Sequence, residues 1–350
     1  MPTPPRCRPA PGARPWIQLG VLALALALGL QFHLFVAQAA NPGPLTLTRP
    51  AGVEGFLPIG ALMGWKHYLL TGRWDPVHPA AMVLLGFAVA VSLFLRKAFC
   101  GWFCPVGTVA EALARLGRRL GLRQRPLPPW LDLPLRSLKY LLLAFFAAVI
   151  AGMPAAALEA FLDSPYYRIA DVKMLHFFTR MSVTTAVALA VLALLSLGVK
   201  NFWCRYLCPY GALLGLFALA SPLRVVRRAD ACSGCGRCAL ACPQQIAVPQ
   251  RSRILTPECT GCLDCTRVCP VPGVLSFQTP LAPGRGFRAA AVGLAVLALF
   301  AGTVGLARAT GRWQSRLSPQ ELRRHMVLLE DPGLRHPSVP FARPNPEDRP

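Results

Sequence analysis

Apolar residues fall in long blocks, separated by charged and proline-containing stretches. Five blocks, roughly 16–39, 79–99, 138–153 with its flanks, 181–203 and 287–307, approach the ~20 apolar residues that carry a helix across a bilayer core. They predict five membrane-spanning helices. The first block follows Arg6, Arg8 and Arg14 and ends in Ala37-Gln38-Ala39, which resembles a signal-peptidase site. The block is long for a signal-peptide core, so a retained span is expected, with cleavage as the alternative. Residues 318–329 predict a short helix with Ser318 as N-cap and Glu321 reaching back to it. Beyond Asp331 the chain is proline-rich and expected to be extended.

Composition agrees. Of 350 residues 54% are apolar and 15% charged, with a mean hydropathy of +0.44, against about 25% charged in soluble domains. The basic residues set the topology. Segments 96–139 and 200–288 hold nine and eleven Lys/Arg, whereas 40–78 and 154–180 hold three each. Positive loops stay on the cytoplasmic side, so the first two segments are expected inside and the other two outside. A fifth span sends 308–350 outward despite its eight arginines. The net charge of +22 then reflects topology and attraction to anionic membrane lipid. No nucleic-acid motif accompanies it, and no phosphate-binding or dinucleotide glycine loop is present.

Twelve of thirteen cysteines fall into four groups; Cys7 stands apart. Cys232-x-x-Cys235-x-x-Cys238-x-x-x-Cys242-Pro243 recurs 27 residues later as Cys259-x-x-Cys262-x-x-Cys265-x-x-x-Cys269-Pro270. This is the bacterial two-cluster ferredoxin run, in which the fourth cysteine of each motif serves the other cluster. Three thiolates on one tight loop reach three corners of a [4Fe–4S] cube, and the fourth must come from elsewhere. The expected sets are Cys232, Cys235, Cys238 and Cys269, and Cys259, Cys262, Cys265 and Cys242. Gly234, Gly236 and Gly261 leave room for backbone amides near the sulfurs. Zinc sites favour separated cysteine pairs, and a disulfide framework needs an oxidising compartment.

The other two groups, CGWFCPVG at 100–107 and CRYLCPYG at 204–211, each follow an apolar block. Cys100 and Cys104, like Cys204 and Cys208, are four apart and share a helical face. Pro105 and Pro209 break that helix and suit the start of a new one. Val106, Val109, Leu113, Leu116 and Leu120, interleaved with arginines, predict a basic amphipathic helix on the inner leaflet. Glu54-Gly55-Phe56-Leu57 is echoed by Glu159-Ala160-Phe161-Leu162. Each half thus reads as span, outer loop, span, Cys-x-x-x-Cys-Pro, and the halves are expected to be parallel repeats. Such symmetry gathers Cys100, Cys104, Cys204 and Cys208 at the inner membrane face, suited to a third cluster or to Cu(I). A redox dithiol or a structural role is the alternative. On the outer side, His33, His67, His78, His176, Glu54 and Glu159 are candidates for quinol or haem contact, or are interfacial polar residues.

Two Cys-x-x-x-Cys-Pro copies at span ends followed by tandem ferredoxin motifs resemble the membrane polyferredoxins, over about residues 50–275. That family includes the quinol-dehydrogenase electron-transfer subunit of periplasmic nitrate reductase systems and an accessory protein of cytochrome oxidase. The resemblance implies two [4Fe–4S] clusters on Cys232 to Cys269 and a redox- or metal-active set at Cys100, Cys104, Cys204 and Cys208. It implies electron transfer between the quinone pool and redox partner proteins of a periplasmic reductase or an oxidase system, in a bacterial inner membrane with the ferredoxin domain cytoplasmic. A copper-handling assembly factor for an oxidase is the alternative. The expected fold is mainly α-helical and polytopic, with a small α+β ferredoxin-like domain. Its parts are an N-terminal tail (1–15), two membrane repeats (16–120 and 121–222), the two-cluster domain (223–280), a fifth span (281–308) and a Pro/Arg-rich tail (309–350).

Overall fold

A computed structural model describes residues 12–41, 43–122, 124, 126–280 and 286–327. Cys7 and the chain beyond 327 lie outside the described residues. In chain order the membrane part is α1 (Ala13–Ala39), α2 (Pro58–Thr71), α3 (Pro79–Leu95), α4 (Pro105–Arg119), α5 (Pro129–Gly152), α6 (Ala155–Leu162), α7 (Pro165–Arg168), α8 (Ala170–Thr179), α9 (Val183–Gly198) and α10 (Pro209–Leu219). The ferredoxin part follows as β1 (Arg224–Arg227), α11 (Arg237–Ala241), α12 (Asp264–Arg267) and β2 (Leu275–Gln278). The chain closes with α13 (Ala289–Ala309) and α14 (Pro319–Val327).

The protein is a helical membrane protein with a small ferredoxin domain. Helices α1, α5 and α13 are long and apolar enough to cross a bilayer, and α8 and α9 are so only when taken together, across a 75° bend that fits a broken span or a re-entrant loop. The second of the five expected spans, α3, stops at 17 residues, about 25 Å of helix at 1.5 Å per residue. It stops because Arg96 takes a left-handed conformation (φ 60°) that turns the chain into the first cysteine pair.

The chain divides into two compact units. Among the described residues the first comprises 12–26, 86–122, 124, 126–148, 182–280 and 286–306; it holds the described parts of both segments expected inside. Its core joins Phe87, Val91, Trp102 and Phe103 to Val225, Ile254, Leu263 and Phe277 of the ferredoxin part and to Val292 and Val296 of α13. Strands β1 and β2 pair antiparallel, with Val225 opposite Phe277.

Among the described residues the second unit comprises 27–41, 43–85, 149–181 and 307–327; it holds the described parts of both segments expected outside. Phe32, Phe35, Val36 and Ala39 of α1 pack with Ile169, Val172 and Leu322, so the stretch carrying Ala37-Gln38-Ala39 is part of a core. The Arg316 amide donates to the Pro76 carbonyl at 2.9 Å, and Arg323 donates to that of Gly43. The cap on α14 forms as expected: the Glu321 amide donates to Ser318 Oγ at 3.1 Å, and the Ser318 amide to Glu321 Oε2 at 3.0 Å.

Helix α4 keeps its valine–leucine stripe outward and buries a face that hydrophobic periodicity does not mark. The small residues Gly107, Ala110, Ala114 and Gly117 face inward, while Val106, Val109, Leu116 and Leu120 stay exposed. Small residues let helix backbones approach closely in membranes, so this stripe packs on α9 and the valine–leucine stripe is left to face outward.

A candidate iron–sulfur centre

The two ferredoxin motifs build two cavities. The first is lined by Cys232, Cys235, Cys238 and Cys269, the second by Cys242, Cys259, Cys262 and Cys265. Each motif thus sends its fourth cysteine to the other cavity. Sequence explains the local fold. Gly234 and Gly261 (φ 67° and 56°) and then Gly236 and Leu263 (φ 70° and 61°) turn the loops through left-handed conformations at the same offset of 27. Leu263 carries this conformation, unfavourable for a branched side chain, and is held there by full burial in the core.

The cavities differ in exposure. Cys242, Cys259, Cys262 and Cys265 are buried, whereas Cys232 and Cys269 are half-buried and Cys235 is exposed. Electrostatics follow. The backbone amide of Arg237 lowers the Cys235 thiol. Burial pushes Cys262 and Cys265 up, offset at Cys262 by the Arg14 guanidinium. Thiols held protonated by burial become thiolates when a cation neutralises them, and four cysteines around one cavity are the donor set of a [4Fe–4S] cluster.

The membrane-edge pairs have matching local structure. Phe99–Phe103 and Trp203–Leu207 are π-helical turns. The Cys104 amide donates to Phe99 O at 2.9 Å and the Cys208 amide to Trp203 O at 3.0 Å. Cys104 and Cys208 then become the N-caps of α4 and α10, with proline at the first turn of each. The Gly211 amide donates to Cys208 Sγ at 3.2 Å, and the backbone amide of Gly107 favours the Cys104 thiolate. Burial pushes Cys104 up to about 11. It also raises Cys204, and the nearby thiols of Cys208, Cys104 and Cys100 add to that rise. The two pairs are therefore near enough to feel each other's charge. Among the described residues no three His, Cys, Asp or Glu side chains converge on a single metal ion.

Around these thiols lie residues the sequence reading passed over. Lys97 and Lys139 are buried, and both ammonium charges favour the Cys100 and Cys208 thiolates. Lys139 Nζ pairs with Glu258 Oε2 at 2.6 Å, and the Tyr140 hydroxyl donates to Glu258 Oε1 at 3.1 Å. Burial alone would raise Glu258; Lys97 and Lys139 overcome it and hold the carboxyl below its usual range. Glu258 adjoins Cys259, so this network ties the membrane-edge thiols to the second cavity.

Other contacts reinforce that tie. Arg96 donates to the carbonyls of Ala218 (3.0 Å), Ile254 (3.2 Å) and Thr256 (2.7 Å). Trp102 Nε1 donates to Gly261 O at 2.9 Å. Lys200 caps Leu240 O at 2.7 Å, and Arg205 bonds both Asp132 and the carbonyl of Gln244. A Cβ on Gly101 would stand 2.6 Å from the Thr260 carbonyl, so only glycine allows this approach. The signal was present in the sequence: Lys139 interrupts an apolar block, and ionisable residues there mark functional or structural partners. Lys139→Met strands the Glu258 carboxylate, and is expected to cost about 3–5 kcal/mol. Thermal unfolding in detergent checks this, and adding Glu258→Gln should return most of the loss.

The outer candidates separate. Glu54 and His78 are fully buried. Glu54 Oε2 accepts the Ala80 and Ala81 amides at 2.9 and 3.3 Å, and Arg49 lies between Glu54 (3.4 Å) and Asp171 (2.7 Å). His78 Nε2 bonds the Tyr167 carbonyl at 2.8 Å. Glu159, matched to Glu54 by the repeat, instead lies at the surface with Arg73 at 3.0 Å. Their settings differ because Glu54 sits in a short 3₁₀ turn and Glu159 in a regular helix. His67 is buried with neither ring nitrogen bonded. His176 is half-buried and His33 exposed.

Comparison with known proteins agrees with this geometry. The family described as "4Fe-4S binding domain" matches residues 77–123 and 181–227, one cysteine pair in each. The "4Fe-4S dicluster domain" matches 224–275. The chain is 43% identical over 315 residues to the putative electron transport protein YccM of Escherichia coli, covering 89% of this chain and 88% of that protein. It is 30% identical to the methylamine utilization ferredoxin-type protein MauN of Methylorubrum extorquens, covering 66% and 76%. To the ferredoxin-type protein NapH of Haemophilus influenzae it is 29% identical, covering 65% and 72%. No solved structure matches. The chain belongs to the membrane polyferredoxin family, iron–sulfur proteins of electron transport.

Proposed function

We propose that this chain passes electrons between the quinone pool of a bacterial inner membrane and partner redox proteins, with its ferredoxin domain on the cytoplasmic side. Two [4Fe–4S] clusters are assigned to the ferredoxin part, one on Cys232, Cys235, Cys238 and Cys269, the other on Cys259, Cys262, Cys265 and Cys242. The observation that carries this reading is the division of the eight cysteines between two cavities, each with one cysteine from the opposite motif.

A third cluster is assigned to Cys100, Cys104, Cys204 and Cys208. Each match to the 4Fe-4S family in the membrane part contains two of these cysteines, and a cube needs four ligands, so the two pairs are assigned one shared cluster. The cysteine sulfurs that ligate a cube sit one on each of four irons, farther apart than the ligands of a single ion. Bound there, such clusters supply one-electron chemistry. The chain's contribution is orientation, burial and charge: Lys97 and Lys139 offset thiolate charge, and the amides of Gly107 and Gly211 favour the Cys104 and Cys208 thiolates. Glu54 and His78 are the proton acceptors this reading offers to a quinol.

Iron and acid-labile sulfide per chain, on protein purified without oxygen, test the assignment. About twelve irons are expected, four per cluster. About eight, with copper bound at stoichiometry, would favour the copper-handling alternative; zinc in place of iron would overturn both.

A further inference from the structure

We propose that the mouth of the Cys232–Cys235 cavity is a docking surface for an acidic redox protein. The proposal rests on the cluster assignment above. Of the two ferredoxin cavities this one has the more exposed thiols: Cys235 is exposed and Cys232 and Cys269 are half-buried, while the four cysteines of the other are buried. A partner approaching the ferredoxin part therefore comes nearest to bound iron at this mouth.

The charge around that mouth is one-sided. Residues 224–257 hold six arginines and one acid, Asp230. Arg227 lines the cavity, and Arg237 follows the Cys235 loop directly. Arg228, Arg251 and Arg253 are exposed and are held on one framework. The Arg228 amide bonds Val274 O at 2.9 Å, Arg227 Nε bonds Arg251 O at 3.2 Å, and Arg253 bridges to Val226 of β1. The two acids near the buried cavity lie elsewhere and are neutralised, Glu258 by Lys139 and Asp264 by Arg14 at 2.5 Å. Retention of a loop in the cytoplasm asks only that arginines be present, whereas exposed arginines held on the framework that carries Arg227 into a redox cavity, with no ion pair among the described residues, are the arrangement that steers an oppositely charged partner.

The test uses the full chain in nanodiscs of neutral phosphatidylcholine and an acidic soluble ferredoxin as probe, with affinity read by interferometry at low and high salt. Arg228→Glu, Arg251→Glu and Arg253→Glu together are expected to weaken binding roughly tenfold or more, and to flatten its salt dependence. Iron content should stay at the wild-type value, which separates this result from failure of the cluster assignment. Equal affinity for wild type and variant, or equal binding of a neutral ferredoxin, would overturn the proposal. So would a charge effect seen only in phosphatidylglycerol nanodiscs, since the arginines would then be contacting lipid headgroups.

Discussion

Serine at both Cys104 and Cys208 is expected to remove about four of about twelve irons per chain, leaving the ferredoxin part loaded. The substitution is chosen for what it leaves intact. Both residues are N-caps, serine is among the best N-cap residues, and Cys208 already accepts a bond from Gly211. Helices α4 and α10 should therefore start where they do now, and only the soft ligand is lost. Iron, sulfide and low-temperature electron paramagnetic resonance on the anaerobic protein check the outcome. An unchanged count would mean that the membrane-edge cysteines hold no cluster; loss of all iron would mean that the ferredoxin part depends on them for folding.

Gly117→Ala should be the most damaging single methyl in the chain. A Cβ there would lie 2.1 Å from the Leu197 carbonyl and 2.9 Å from Gln124 Nε2. The amide of Gln124 could swing away, but it bridges the carbonyls of Ala114 (2.7 Å) and Leu197 (2.8 Å), and the Leu197 backbone cannot move without moving α9. The two helices must part, costing on the order of 3 kcal/mol, the upper end of overpacking penalties, with the bond at Gln124 lost besides. Gly20→Ala is the control, since nothing lies within 4 Å of that Cβ. A loss of thermal stability for Gly117→Ala, against none for Gly20→Ala, checks it; equal unfolding temperatures would sink it.

How far the sequence reached depends on the kind of information each feature carries. The grouping of the ferredoxin cysteines around two cavities was legible because the motif fixes both residue type and spacing, and the offset of 27 relates even the left-handed positions Gly236 and Leu263. The cysteine turns were legible as helix ends because Pro105 and Pro209 forbid continuation. Their π-helical form was not, since a single wide turn has no compositional mark. The valine–leucine stripe of α4 was legible, and the small-residue face that packs on α9 was not, for a physical reason. Hydrophobic periodicity selects valine and leucine, but between closely packed helices the decisive property is small size. The match of Glu54 with Glu159 held in sequence and failed in environment, because burial depends on contacts far along the chain. Lys97, Lys139 and Glu258 form a network across 161 residues of chain, which no local pattern encodes.

The brevity of α9, 16 residues beyond the 75° bend from α8, bears on the lipid as well as the protein, since its side chains are mostly exposed. It is about 24 Å long at 1.5 Å per residue, roughly 6 Å less than an average hydrocarbon core. Lipid beside it must shorten its chains or tilt to meet it, at a fraction of a kcal/mol per ångström. Acyl-chain length thus becomes a variable acting on the membrane-edge cysteines, and short-chain bilayers should seat them with the least elastic strain.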